Sequence, residues 1–170
     1  MTSSRKSGRL LHHFATDHRS VSKAFSDDAL TRIGSAIAEG EKLHRGQVRF
    51  VVEPALPLAR VARRISPRER ALEVFGLLRI WDTEENCGVL VYLLLADRAV
   101  EIVADRGIDR AVGADAWESV CREMEKAFAV GRYAEGAAAG IAAINALLAR
   151  HFPDDGKPRK NELPDAPLVL

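Results

Sequence analysis

The period of apolar and polar positions changes several times along the chain, and each change marks an element. Residues 1–25 mix basic side chains, serines and the histidines His12, His13 and His18 without a clear apolar period, the profile of a flexible basic arm. A helical period begins at Ser26, an N-cap residue followed by Asp27 and Asp28, with Leu30, Ile33, Ile37 and Leu43 mostly along one face. Gly46 is expected to close this helix. Gln47–Glu53 is β-branched or aromatic at its centre and polar at both ends, and Pro54 stops it, which reads as a first strand.

Residues 57–65 suggest a short basic helix, and Ser66-Pro67 with Glu69 carries the signature of a second helix start. That helix is expected to turn Ala71, Leu72, Phe75, Leu77 and Leu78 inward. Residues 87–96, CGVLVYLLLA, form a nearly unbroken apolar run, as a central strand covered on both faces requires. A helix between two strands makes them parallel by a right-handed crossover. The short link Ala96-Asp97-Arg98 then makes Ala99–Ala104 antiparallel to its predecessor. After a loop over residues 105–115, a helix over 116–129 spaces Trp117, Val120, Met124 and Phe128 at the helical period. An alanine-rich helix over 133–152 follows, and its Gly136 and Gly140, four apart, suit close approach to a neighbour. Residues 154–170, rich in proline and mixed charge, read as a disordered tail whose last residues, Pro167 to Leu170, are apolar enough to dock in a groove. The expected architecture is α/β, with a small mixed sheet between helices in the domain of residues 26–153.

Composition narrows the function. The 170 residues carry 25 Lys plus Arg against 24 Asp plus Glu, a net charge of +1, which gives no overall attraction to nucleic acid. No apolar run approaches the roughly 20 residues of a membrane-spanning helix, and no signal-peptide core follows the basic N-terminus. Cys87 and Cys121 fall inside expected elements, so both are read as reduced core thiols of a cytoplasmic protein. Neither zinc-ligand spacing, nor a nucleophile elbow, nor a phosphate-binding glycine loop is present.

Two groups of charges remain as candidates. Asp82, Asp97, Asp105, Asp109 and Asp115 flank the strands, and oxygen ligands converging there would suit Ca²⁺ or Mg²⁺. Arg98, Arg106 and Arg110 interrupt them, so the alternative is solvated loop carboxylates in salt bridges. Arg60, Arg63 and Arg64 share a helical face, with Arg68 beyond, a surface for an anion or an acidic partner, or else a solvated face paired to Glu69 and Glu73.

The block NCGVLVYLLLADRAVEIVADRGI, with the tryptophan of the next helix and AFAVGRYAEGAAAGIAAINALLARHFP, resembles the TPM domain family, which includes thylakoid-lumen proteins linked to photosystem II repair and many bacterial proteins of unassigned role. The resemblance implies a three-layer α/β/α sandwich. It also implies divalent-cation binding and phosphatase activity, with Gly107, Asp109 and Asp115 at the family's glycine-rich turn and its following acids. Ser20 stands where many members have an aspartate before the first helix, which removes one ligand from the family's set. The reading that follows is a TPM-domain protein acting as a non-catalytic interaction module for a protein partner associated with membrane-protein assembly or quality control. The alternative is a metal-dependent phosphatase with Asp105, Asp109 and Asp115 as ligands and Asp82 or Asp97 completing the shell.

Overall fold

Alternation within three strands assigns the helices to two layers. The computed structural model describes residues 2–170, with side chains from residue 8 onward. In β1 (Gln47–Glu53), Val48, Phe50 and Val52 point to one face; in β2 (Gly88–Leu94), Val89, Val91 and Leu93 do the same, joined by Val100 and Ile102 of β3 (Ala99–Ala104). That face is covered by α2 (His18–Ala24), α3 (Asp27–Gly40), α6 (Arg106–Val112), α7 (Ala114–Ala129) and α8 (Tyr133–His151). The opposite positions, Val51, Leu90, Tyr92, Leu94 and Val103, pack against α1 (Thr2–Ala15), α4 (Leu58–Ala62) and α5 (Pro67–Leu77). The result is the expected α/β/α sandwich.

The sheet has the order β3-β2-β1-β4, where β4 is Leu168–Val169. β1 runs parallel to β2 with Gln47 opposite Gly88, and β2 runs antiparallel to β3 with Val89 opposite Ala104. Both pairings match the crossover and hairpin expected. Every residue of β2 is buried, which explains its continuous apolar sequence.

Several boundaries differ from expectation, each for a local reason. The first long helix stops at Gly40 instead of Gly46, and at that end the Asn145 side chain fills the place of a Cβ at Gly40 and donates to the Ala36 carbonyl at 3.0 Å. Leu43 is consequently exposed. The second strand ends at Leu94 and a 3-10 turn, Leu95–Asp97, carries the chain to left-handed Arg98. Within α5, Ala71 and Val74 are buried while Leu72 and Leu77 face solvent, so the helix presents a narrower apolar stripe than its sequence suggests. The expected loop over residues 105–115 holds α6, capped by Asp105. Gly136 and Gly140 do serve close packing: the Met124 side chain occupies the place of a Cβ at Gly140.

The two expected terminal extensions are structured. Of the arm over residues 1–25, residue 1 lies outside the described residues, and helices α1 and α2 occupy 2–15 and 18–24. Arg9 donates through Nε to both Asp97 carboxylate oxygens at 3.1 Å, and a terminal guanidinium nitrogen donates to the Ile65 carbonyl at 2.9 Å. His13, buried, accepts from the Leu56 N–H through Nδ1 at 3.0 Å and meets Asp97 through Nε2 at 3.1 Å. A backbone N–H can only donate, so the ring proton sits on Nε2. Burial holds the His13 pKa below its ordinary value, with Asp97 opposing the shift.

The tail over residues 154–170 returns along the free edge of β1. Gln47 Oε1 accepts from the Glu162 and Leu163 N–H groups at 2.8 and 3.1 Å, Arg49 donates to the Pro164 carbonyl at 2.6 Å, and β4 pairs parallel with Val51 and Val52. The apolar end therefore docks within its own chain, with Val169 on one face of the sheet and Leu168 and Leu170 on the other.

Candidate functional site

The hairpin between β2 and β3 decides the fate of the five aspartates. Asp82 precedes β2 and Asp105 follows β3, so both lie at one end of the sheet, where the Asp105 N–H donates to the Gly88 carbonyl at 2.8 Å. Asp97 lies in the turn at the other end, separated from Asp105 by the whole of β3, roughly 20 Å at ~3.3 Å per residue. One ion cannot bridge that span. Asp97 is instead paired with the Arg9 guanidinium and accepts a hydrogen bond from His13.

The other acids have separate surroundings. Asp82 is exposed and pairs with Arg79 at 2.5 Å. Asp105 is buried: Oδ1 accepts from the Arg106 N–H at 2.6 Å, and Oδ2 has no partner among the described residues. Asp109 and Asp115 occupy the first turns of α6 and α7, where carboxylates favour the helix dipoles. Asp109 borders a cleft of about 510 Å³ that Arg68, Glu101, Trp117, Glu118 and Cys121 also line. The Trp117 indole N–H is buried without a partner among the described residues, and burial pushes the Cys121 thiol up to about 11, away from nucleophilic use near neutral pH. Among the described residues, no group of three or more His, Cys, Asp or Glu side chains is arranged to hold a metal ion.

The arginines do not make one face either. α4 ends at Ala62 and Arg64 is left-handed at φ 62°, so the helical spacing breaks between Arg60 and Arg64. Arg60 pairs with Glu73 at 2.6 Å, and Arg68 reaches over β3 to the Ile102 carbonyl and toward Glu101. Arg63 and Arg64 make no ion pair among the described residues.

Three arrangements escaped sequence reasoning. Beneath α5, Arg70 joins Glu53 at 2.8 Å and Glu73 at 3.0 Å, while the fully buried Tyr92 donates to Glu53 at 2.6 Å and is pushed well above its usual pKa by desolvation and that carboxylate. Next to the tail, Glu41 accepts from the Val48 N–H at 2.7 Å, and burial raises its pKa to about 7 despite that bond. On the surface, Leu72, Leu77 and Trp81 stand exposed within ten residues of one another, Trp81 with the Arg79 guanidinium 5.8 Å from its ring centroid. The first two unite residues far apart in sequence, and no local spacing announces them. The third contradicts the inward placement expected of Leu77.

A mixed four-stranded sheet between two helical layers, with its hairpin followed by a helix-capping Asp105 and Gly107, defines an α/β domain of the class anticipated from the sequence block. The family model of the TPM domain matches residues 20–147, and the chain belongs to that family. Among solved structures it is similar to the BA42 protein of the psychrophilic bacterium Bizionia argentinensis, determined by NMR, with a TM-score of 0.74 at 26% identity over 86% of this chain and 95% of that one. No curated protein matches. Among the described residues, no helix is long and apolar enough to cross a membrane.

Proposed function

We propose that this TPM domain is a non-catalytic cytoplasmic module that binds another protein, one belonging to membrane-protein assembly or quality control. The observation that carries the reading is the exposure of three large apolar side chains in and just after α5, Leu72, Leu77 and Trp81. Arg63 and Arg64, exposed in the turn between α4 and α5, add positive charge suited to an acidic patch on the partner. Cys87 and Cys121, both unbonded, accord with a reducing compartment. Among the described residues Asp105, Asp109 and Asp115 do not converge with other acids into a group arranged to hold a metal ion, which favours this reading over the metal-dependent phosphatase.

The test places a photo-crosslinking amino acid at Leu77, at Trp81 and, as a control, at the exposed Arg32 of α3, on the other helical layer. A protein crosslinked from both α5-end positions, absent from Arg32 and lost in a Trp81→Glu background, is the expected result. Equal crosslinking from all three positions refutes the surface. Saturable hydrolysis of p-nitrophenyl phosphate that needs Mg²⁺ and disappears in Asp109→Asn refutes the non-catalytic assignment.

A further inference from the structure

A second cleft, of about 410 Å³, lies between α1, α2, the 3-10 turn after β2 and the turn between α7 and α8. Its walls include His12, Lys23 and Arg98, which come from three different elements, and its apolar floor includes Leu95 and Ala96. No carboxylate lines it. Three other clefts among the described residues are mixed in charge: Glu123 and Glu135 line the one between α7 and α8, Glu41, Asp154 and Asp165 the one beside the tail, and Glu101, Asp109 and Glu118 the one bordered by Trp117.

The two cations of this cleft, Lys23 and Arg98, take part in no ion pair among the described residues, and the Arg98 guanidinium holds only the Ala129 carbonyl at 3.4 Å. Two acids near the cleft in sequence are engaged elsewhere. Asp97, beside Arg98, is claimed by Arg9 and His13, and Asp17 caps α2 by accepting from the Ser20 N–H and hydroxyl at 2.9 Å. Tyr133 lines the same cleft with its ring stacked on Phe128 at 5.2 Å, and its hydroxyl makes no hydrogen bond within the described residues. A positive, concave surface with an apolar floor and a fixed phenol suits a ligand with an apolar body and an anionic head.

We propose that this cleft binds a small organic oxyanion, a carboxylate or a phosphate monoester, with Arg98 and Lys23 on the anionic head and Leu95 and Ala96 under the apolar body. This site is independent of the partner surface at the end of α5 and lies at the opposite end of β3 from Asp105.

Amide NMR titration at constant ionic strength tests it, with phenylacetate, phenyl phosphate and the neutral 2-phenylethanol as probes. Saturable shifts confined to residues around His12, Lys23, Ala96, Arg98 and Gly131 are expected for the two anions and not for the alcohol. Stronger binding of phenyl phosphate assigns the site to a dianion, and stronger binding of phenylacetate assigns it to a carboxylate. Lys23→Gln and Arg98→Asn, the latter chosen because asparagine tolerates the left-handed backbone at φ 52°, should each weaken binding about fivefold. Lys23→Glu should abolish it. Equal shifts with the alcohol, or unchanged affinity in Lys23→Glu with an unchanged melting curve, overturn the proposal.

Discussion

Replacing Asp97 by alanine should release the N-terminal helix. The side chain is the common acceptor for Arg9, 2.8 Å away, and for the buried His13 ring, 3.1 Å away. A hydrogen bond to a charged group contributes about 1.5–3 kcal/mol when dry. Solvent reduces that value here, because the Arg9 and Asp97 side chains are 27% and 15% exposed. Arg9 also keeps its bond to the Ile65 carbonyl. Against this, His13 Nε2–H is left buried and unpaired, so the net cost is about 2–3 kcal/mol. At roughly 2–4 °C per kcal/mol for a chain of this size, the thermal midpoint falls by about 4–12 °C. Circular dichroism melting measures the midpoint, and native-state hydrogen exchange locates the loss. Amides of α1 should exchange faster than those of β2, which the opening of α1 leaves paired to β1 and β3. An unchanged midpoint together with unchanged α1 protection would refute the clamp.

Four further outcomes follow from the same structure. Because the His13 pKa is depressed in the folded state, its contribution is intact above the ordinary histidine value near 6.5 and declines as the pH falls below it, so His13→Gln should flatten the acid side of a stability-against-pH curve measured by urea unfolding. Glu41 acts with the opposite sign: its raised pKa favours the fold at low pH, and this advantage is lost as the pH rises through about 7, a loss that Glu41→Gln should abolish in the same experiment. Gly140→Ala forces Met124 aside and should cost about 1–3 kcal/mol by overpacking, read from the shift in urea midpoint. Truncation after Leu163 uncovers the edge of β1, and light scattering should detect self-association that the full chain does not show.

The strands were legible because their chemistry is local. The apolar run that became β2 has no room for a solvated face, and the three-residue link before Ala99 leaves only a hairpin. Both terminal segments differ from expectation for the converse reason: they are held by a few partners far away in sequence. Nothing about Arg9 or His13 in sequence points to Asp97, and nothing about Leu163 points to Gln47, yet those contacts order α1 and the tail. The candidate cation ligands illustrate the same limit. Sequence placed five aspartates near strand ends without saying which end, and the reversal of the hairpin put Asp97 far from Asp105. Leu77 was misjudged because α5 turns Ala71, Val74 and Leu78, at helical spacing, toward the sheet, and Leu77 falls off that face.

The position of β1 has a consequence for synthesis. Both of its neighbours, β2 and β4, come later in the chain. While the protein is being translated, QVRFVVE emerges with two open edges and apolar side chains toward both faces, and it waits for β2 to close one edge and for the tail to close the other. During that interval this segment is the natural target for a holding chaperone, and the stretch where a translational pause would do most harm.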